Sequence, residues 1–186
     1  TLIVATYNND DKLIEFLNSL KKVKILTDNN IEVIIVQNHA DIKIYNKTKL
    51  LEKKYNIKVY HQQKQGKSAA LNLGIKKSNG KYIASTDDDV IITDKDWLYK
   101  FVREFEKNPK LGYVSGKVMM YDKTANDYSK IWENKGGLSK GEKTKYWSRK
   151  FLEKFEFKVF PWPMHKMCAG ANQMIRTDIL KEVGGY

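Results

Sequence analysis

The sequence has few of the features that mark secreted or membrane-spanning proteins. Among its 186 residues only Cys168 is a cysteine, so no internal disulfide framework can form and a reducing compartment is favoured. No apolar run approaches the roughly 20 residues that cross a bilayer as a helix, and no signal peptide opens the chain. We therefore expect a cytoplasmic protein.

The chain also lacks a dense basic run or an arginine-rich arm, although its formal net charge is +12. Its lysines are scattered through segments with a helical pattern, which indicates a general surface bias and no nucleic-acid partner. Nucleic-acid binding is therefore kept as an alternative that only the net charge supports. The charge favours anionic ligands and a peripheral contact with the anionic inner face of a membrane.

The composition is that of a globular protein, with 41% hydrophobic and 12% aromatic residues, and the length suits one α/β domain. Short apolar runs alternate with amphipathic stretches, which predicts a Rossmann-like, mostly parallel central sheet flanked by helices. Strands are predicted over residues 2–5, 31–36, 57–61, 82–84, 111–120 and 168–175, and helices over residues 13–20, 45–55, 68–78 and 97–105.

Some expectations about local structure depend on single polar residues. Gln37–Ala40 are predicted to form a loop after the second strand. Asp94 is predicted to cap the helix over residues 97–105, and Thr177 to cap a short helix that Gly184-Gly185 ends. These assignments follow from the preference of Asp and Thr for helix N-termini and of glycine for helix C-termini.

The helical and strand patterns weaken beyond Tyr121. The polar segment Asp122–Lys145 is predicted to be a long insertion. Trp147, Phe151 and Phe155 follow it at intervals of four residues, which predicts one more helix.

A cluster of three carboxylates gives the first indication of function. In the stretch Gly80–Val90, a short apolar run ends abruptly at Asp87, Asp88 and Asp89. A core cannot hold three unpaired charges, so these residues must lie at the carboxyl end of a strand, where open α/β sheets bind ligands. Carboxylates there suit Mg²⁺ or Mn²⁺ together with a substrate phosphate. The residues alone leave open the alternative of a solvated acidic turn.

Of two common nucleotide-binding motifs, the phosphate loop is incomplete in this sequence and the dinucleotide-binding fingerprint is absent. Gly66-Lys67-Ser68 resembles the end of a phosphate loop, and Ile83–Asp87 resembles the acidic strand that accompanies it. The complete loop requires a glycine where this chain has His61, so a degenerate P-loop NTPase is a minor alternative. The dinucleotide-binding fingerprint is absent from the sequence.

Four segments stand in order and at a regular spacing between Leu2 and Tyr186. They are Leu2–Asn8, Gln65–Ile75, Gly80–Val90 and Gly170–Asn172 with Arg176 and Val183–Tyr186. Together they resemble the family 2 glycosyltransferases of GT-A fold. The first is similar to the family's opening strand and its Thr-Tyr-Asn loop, and the second to its helix with glycine and asparagine. The third is similar to the Asp-X-Asp strand, and the fourth to the segment before the acceptor site.

The resemblance implies a metal-dependent, inverting transfer of a sugar from a nucleotide-diphosphate sugar to a glycan or lipid-linked acceptor. The implied donor-nucleotide residues are Thr6, Tyr7, Asn8, Gln37, Asn38, Lys67, Asn72, Asp87 and Asp88. Asp89 and Asp87 are the implied ligands of Mn²⁺ or Mg²⁺. The expected acceptor-side residues are Trp162, His165, Gly170, Ala171 and Asn172, with plain packing as the alternative for Trp162 and His165.

The chain departs from the family pattern in two places. Gln37-Asn38 stand where the family usually has an acidic pair that grips uracil, although an amide oxygen can also accept a hydrogen bond from a ring N–H. A UDP-sugar remains the favoured donor. The general base is expected just beyond Tyr186, so we expect residues 1–120 to bind the donor, residues 121–186 to begin the acceptor part, and a C-terminal remainder to be missing. A nucleotide-sugar-binding module without catalysis is the alternative.

Overall fold

Seven strands form the framework of the part of the chain that the computed structural model describes, which comprises residues 1–8, 10–38, 41–116, 145–148 and 172–186. The strands are Leu2–Thr6 (β1), Val33–Asn38 (β2), Lys58–Gln62 (β3), Tyr82–Thr86 (β4), Leu111–Ser115 (β5), Lys145–Ser148 (β6) and Gln173–Arg176 (β7). They form one sheet in the order β3-β2-β1-β4-β7-β5-β6.

The sheet is mixed but mostly parallel. The pairs β1–β2, β1–β4 and β2–β3 are parallel, whereas β7 runs antiparallel to both β4 and β5, and β6 runs antiparallel to β5. All strands except β6 and β7 therefore point in the same direction. This confirms the predicted mostly parallel central sheet.

Helices cover both faces of this sheet. They are Asp10–Lys22 (α1), Ile42–Lys49 (α2), Leu51–Tyr55 (α3), Lys67–Lys77 (α4), Trp97–Lys107 (α5) and Thr177–Glu182 (α6), with a short 3₁₀ helix at Ile25–Thr27. The structure thus divides the single helix predicted over residues 45–55 into α2 and α3. Within the described residues, no helix is long and apolar enough to span a bilayer.

Side chains that alternate along the strands supply a separate core on each face. On β1, Leu2 and Val4 belong to the core beneath α1 and α5, whereas Ile3 belongs to the core beneath α4. The same alternation continues along β2. Burying one such aliphatic side chain stabilises the fold by about 1.5–3 kcal/mol. The period of two along each strand therefore builds a three-layer arrangement with helices on both sides.

Strand β7 occupies an unexpected place in the sheet. Its residues pair with β4 on one side, where Ile83 lies opposite Ile175, and with β5 on the other, where Tyr113 also lies opposite Ile175. The last described strand in the chain is therefore inserted between two earlier ones. The strands β4, β7 and β5 are therefore neighbours in the sheet although β7 is far from the other two in sequence.

The prediction of a loop over Gln37–Ala40 is wrong at its start, because β2 continues through Gln37 and Asn38. Gln37 pairs with Thr6 of β1 and with His61 of β3. A polar residue was expected to leave the sheet, but backbone pairing on both sides and a side-chain partner on α2 hold this one inside it. Thr6 likewise ends β1 instead of beginning a loop.

Both predicted helix caps are also wrong. Asp96 is the residue before α5, and the Asp94 carboxylate instead accepts a hydrogen bond from the Asp96 N–H at 2.9 Å, which forms a turn ahead of the helix. Thr177 is the first residue of α6, and its hydroxyl donates to the Gly80 carbonyl at 2.7 Å. That contact between distant segments replaces the expected local cap.

The helix predicted around Trp147 is wrong at that residue. The backbone of β6 pairs with β5, with Trp147 opposite Tyr113. Strand pairing over a long sequence separation has thus overridden the local spacing of aromatic residues. Phe151, Phe155 and residues 122–144 of the predicted insertion lie outside the described residues.

Candidate functional site

The carboxyl ends of β1, β2 and β4 meet at one edge of the sheet. Thr6, the last residue of β1, pairs with Gln37 near the end of β2, and Val4 pairs with Thr86, the last residue of β4. The segments that follow these three strands therefore emerge side by side. Open α/β sheets bind ligands at such an edge.

The aspartates after β4 make contacts with different elements. The Thr6 hydroxyl donates a hydrogen bond to Asp88 Oδ2 at 2.6 Å, and this bond joins β1 to the segment after β4. Asp87 instead forms an ion pair with Lys67, the first residue of α4. Asp89 is exposed. The cluster is thus tied into the fold through two of its members, whereas an acidic turn that is merely solvated would need neither contact.

The loop before α4 is held in place by Asn38. Asn38 Oδ1 accepts a hydrogen bond from the Gly66 N–H at 3.0 Å. Gly66 has a φ of 136°, a conformation that residues with a side chain rarely adopt, so the glycine permits the chain to turn into the helix. Asn38 therefore contributes to the placement of Lys67, and its predicted contact with a nucleobase stays a prediction.

Gln37 is fully buried, and its side chain reaches α2. Its Nε2 donates to Thr48 Oγ1 at 2.6 Å, while its Oε1 is a buried side-chain atom that has no hydrogen-bond partner among the described residues. Leaving a buried acceptor unpaired costs about 1–3 kcal/mol. This amide is an unusual group to find at the edge of a core.

Two further predicted residues lie at the start of the segment after β1. Tyr7 is 50% exposed, so a large part of its ring is accessible. Asn8 is exposed and has a φ of 51°, in the left-handed region that Asn tolerates better than most residues. An exposed aromatic ring beside polar groups can stack on a planar ligand.

The carboxylates of the site do not form a closed metal cage. Within the described residues, no group of three or more His, Cys, Asp and Glu side chains is arranged to hold a metal ion. Mg²⁺, however, is usually bound by one or two carboxylates together with substrate phosphates and water. The hard oxygens of Asp87 and Asp89 fit an ion that is shared with a phosphorylated ligand, in which case the ligand completes the coordination.

Asn72 lies on α4 but contacts the segment after α6. Its Nδ2 donates to the Tyr186 carbonyl at 3.1 Å, and its Oδ1 accepts from the Tyr186 N–H at 2.8 Å. Gly185, with a φ of 100°, lies directly against the Asn72 amide, where a side chain would clash. The predicted role of Asn72 at the donor nucleotide stays a prediction, and the structure adds a contact that the sequence did not suggest.

A partly buried polar network beside β4 was missed from the sequence. Gln173 Nε2 donates to Ser85 Oγ at 2.7 Å and to the Tyr186 hydroxyl at 2.9 Å, while Gln173 Oε1 accepts from the Tyr113 hydroxyl at 2.8 Å. Burial raises the pKa of the Tyr186 hydroxyl, with a smaller opposing effect from Ser85. A polar residue inside an apolar strand pattern, as Gln173 is, was the available signal.

Of the residues predicted to lie on the acceptor side, Asn172 is the one that the structure describes. Asn172 Oδ1 accepts a hydrogen bond from Trp97 Nε1 at 2.7 Å, and the Asn172 carbonyl accepts from the Gly116 N–H at 2.9 Å. Asn172 thus joins α5 to the segments around β5 and β7. The other acceptor-side residues, Trp162, His165, Gly170 and Ala171, lie outside the described residues.

The arrangement of this sheet edge agrees with a match to a known protein family. The sequence model described as Glycosyl transferase family 2 matches residues 1–184. This chain belongs to glycosyl transferase family 2. Its Asp87-Asp88-Asp89 segment directly follows β4 at the edge of the sheet described above.

Relatives of known sequence include other glycosyltransferases. The chain is 37% identical over 106 residues to an uncharacterized glycosyltransferase of Rickettsia conorii, an alignment covering 56% of this chain and 17% of the relative. It is 32% identical over 130 residues to a poly-beta-1,6-N-acetyl-D-glucosamine synthase of Staphylococcus aureus, covering 67% of this chain and 30% of that protein. The matched region is thus less than a third of either relative.

Solved structures share the fold at low sequence identity. A mannosyltransferase from Pyrobaculum calidifontis in complex with GDP-Man and Mn²⁺ superposes with a TM-score of 0.65 at 17% identity, covering 100% of this chain and 46% of that one. S. aureus TarS in complex with UDP-GlcNAc superposes with a TM-score of 0.57 at 18% identity, covering 98% and 46%. These neighbours confirm the predicted α/β GT-A fold.

Proposed function

We propose that this chain is the donor-binding part of a metal-dependent, inverting glycosyltransferase. The donor is a nucleotide-diphosphate sugar, with a UDP-sugar favoured, and the acceptor is a hydroxyl of a glycan or a lipid-linked glycan. Membership of glycosyl transferase family 2 supports the reaction class. Two structural neighbours are in complex with UDP-GlcNAc and GDP-Man, and one relative is named a poly-beta-1,6-N-acetyl-D-glucosamine synthase; these similarities support the substrate class.

The observation that carries the proposal is the set of contacts around the aspartates. Asp88 is anchored to the end of β1 through Thr6, and Asp87 is paired with the cation at the start of α4. Carboxylates, a lysine and a helix N-terminus thus lie together at one edge of the sheet. This combination can hold a diphosphate and a divalent cation together, because the lysine and helix N-terminus favour anions and the carboxylates favour metal ions.

Each group has a distinct task in donor binding. The exposed ring of Tyr7 offers a face on which the nucleobase stacks. Lys67 exchanges its contact with Asp87 for a contact with the diphosphate. Asp89 and Asp87 would hold the divalent metal, which would supply positive charge beside the departing nucleoside diphosphate. Asp88 keeps the segment after β4 against β1 through its bond from Thr6.

The proposed reaction also needs residues that face the acceptor. Trp162 and His165 are proposed to face the acceptor, with Gly170, Ala171 and Asn172 in the segment leading to it. Inversion at the anomeric carbon also needs a general base that removes the proton from the acceptor hydroxyl. We assign that base to no residue in this chain.

Calorimetric titration with nucleotides tests the donor site. UDP, GDP and dTDP are titrated separately, once with Mn²⁺ and once with a chelator. We expect UDP to bind in the presence of metal and to lose at least about tenfold in affinity when the metal is removed, which corresponds to about 1.4 kcal/mol. A folded sample that binds none of the three nucleotides would overturn the proposal.

An aspartate variant tests the metal ligands. Asp89→Asn should reduce the Mn²⁺-dependent affinity for UDP by at least about tenfold, because an amide is a weaker metal ligand than a carboxylate. Asp96→Asn, which alters another exposed aspartate just before α5, is the matched control and should bind like the unaltered chain. Equal affinity for both variants would remove Asp89 from the metal site. A second assay measures the metal-dependent release of UDP from a UDP-sugar. Detectable release supports a transferase and contradicts a module that only binds the donor.

A further inference from the structure

We propose that Lys49 and Glu52 close the outer edge of β3 and thereby keep this chain from pairing with a second copy of itself. Strand β3 is the last strand on one side of the described sheet. A strand in that position offers backbone N–H and C=O groups that another strand can bind. The inference is independent of the proposed function, because it concerns the side of the sheet and not its ligand-binding end.

The backbone groups of Val59, in β3, are bound by side chains. The Val59 N–H donates a hydrogen bond to Glu52 Oε1 at 2.7 Å, and the Val59 carbonyl accepts one from Lys49 Nζ at 3.0 Å. Because these two groups bind side chains of α2 and α3 and not the backbone of β2, they point away from β2. Val59 is therefore a residue at which a further strand could attach.

The two side chains that cover Val59 also bind each other. Lys49 Nζ lies 2.6 Å from Glu52 Oε1, the same oxygen that accepts from the Val59 N–H. The N–H and C=O of one residue thus meet an acceptor and a donor that an ion pair joins. A neighbouring strand would present the same acceptor and donor, so the ion pair occupies the place of that strand.

A further contact extends this cover along the edge. The N–H of Ile57, two residues before Val59, donates to the Glu52 carbonyl at 3.4 Å. Glu52 thus binds two successive outward-facing N–H groups, one with its backbone and one with its carboxylate. Lys49 Nζ also lies 6.0 Å from the centroid of the Tyr60 ring, a cation–π contact that keeps the ammonium group over β3.

The charge of the two side chains favours a role in excluding another strand. They are 42% and 28% exposed, so an incoming strand would have to displace and desolvate an ion pair that water partly solvates. An apolar contact would hold α3 against β3 as well, but it would leave the Val59 N–H and carbonyl available to that strand. The ion pair supplies both the attachment and the exclusion.

The partner that this edge would otherwise bind is a second copy of the chain. Every copy carries the same edge, and two β3 strands related by a twofold axis can pair antiparallel, each offering N–H groups to the carbonyls of the other. The Val59 side chain is fully buried. Opening the edge would expose only backbone groups, so β3 would keep its place in the sheet.

The test removes both side chains in one variant, Lys49→Ala with Glu52→Ala. Thermal melting followed by circular dichroism establishes that the variant is folded. Sedimentation equilibrium over a range of protein concentrations then measures self-association. We expect the variant to form dimers with a dissociation constant at least about tenfold lower than that of the unaltered chain.

Hydrogen exchange at the Val59 amide shows whether the dimer forms through β3. In the dilute variant this N–H has lost its acceptor, so it should exchange at least about tenfold faster than in the unaltered chain. At concentrations at which the variant dimerises, pairing of two β3 strands should slow the exchange again.

An ion pair on α1 provides the matched control. Lys12 and Glu15 have the same order and spacing as Lys49 and Glu52, and their side chains are 46% and 53% exposed. Replacing both with alanine should leave self-association as in the unaltered chain. If the alanine variant of Lys49 and Glu52 does not fold, Lys49→Met with Glu52→Gln is decisive, because it keeps the size of both side chains. Methionine cannot donate to the Val59 carbonyl, so this variant should dimerise at least about threefold more tightly than the unaltered chain.

The outcomes decide the proposal in either direction. Dimers that slow exchange at the Val59 amide, together with an unchanged control, support it. A folded variant that associates no more tightly than the control overturns it. Dimers in which the Val59 amide still exchanges rapidly overturn it as well, because the copies would then meet through another surface.

Discussion

Replacing Lys67 by methionine separates a role in ligand binding from a role in stability. In the structure Lys67 pairs with Asp87, but its side chain is 53% exposed, and an exposed ion pair contributes about 0.2–1 kcal/mol. Removing the charge should therefore change the free energy of unfolding by less than about 1 kcal/mol. If Lys67 contacts the diphosphate, the loss of that charged hydrogen bond should weaken UDP binding by about 1–2 kcal/mol, or roughly five- to thirty-fold.

Lys100 provides a closely matched control for this experiment. Its side chain is 57% exposed, and it pairs with Asp94 beside the start of α5 much as Lys67 pairs with Asp87 beside the start of α4. Lys100→Met should thus have a similar small effect on urea unfolding and no effect on UDP affinity. Both affinities are measured by calorimetry with Mn²⁺. If Lys67→Met binds UDP within twofold of Lys100→Met, Lys67 is not a phosphate ligand.

Two predictions concern stability. Burial alone would raise the pKa of Glu32, but hydrogen bonds from Lys58 and its other partners outweigh this effect and hold the pKa at about 2. A carboxyl pKa that is lower in the folded than in the unfolded state stabilises the fold above the unfolded pKa, and this stabilisation is lost as the pH falls through the folded pKa. Between pH 7 and pH 3, the free energy of urea unfolding should therefore fall by about 1–2 kcal/mol less in Glu32→Gln than in the unaltered chain. Equal losses would show that these bonds do not stabilise the fold. Gly185→Ala should lower the melting temperature by a few degrees more than Gly184→Ala, because both glycines have positive φ but only Gly185 lies against Asn72. Similar melting temperatures for the two variants would mean that the contact with Asn72 is easily relaxed.

The parts of the fold that the sequence predicted are those that local pattern determines. The apolar run of β1 and the helical spacing in α5 both identify their elements, because each buries a continuous face in the core. The place of Asp87, Asp88 and Asp89 at the end of β4 was predicted for a similar reason. Charge that cannot be buried must leave the sheet where the strand ends.

The features that the sequence did not predict depend on partners far away in the chain. Gln37 stays in β2 because Thr48 satisfies its amide nitrogen, and Thr177 turns its hydroxyl to Gly80 instead of to its own helix. The preferences of single residues for helices, strands or caps do not identify such distant hydrogen-bond partners. The same holds for Asn72, whose two hydrogen bonds to Tyr186 join residues 114 positions apart in the chain.

The insertion of β7 between β4 and β5 has a consequence for how this protein is made. In the described sheet, β5 pairs only with β6 and β7, so it cannot attach to the parallel strands when it first leaves the ribosome. The edge of β5 that pairs with β7 therefore stays open until residues 173–176 have been synthesised. Contacts of such long sequence separation form slowly and leave a nascent chain open to aggregation. We therefore expect synthesis halted between β5 and β7 to yield a chaperone-bound intermediate in which the sheet ends at β4.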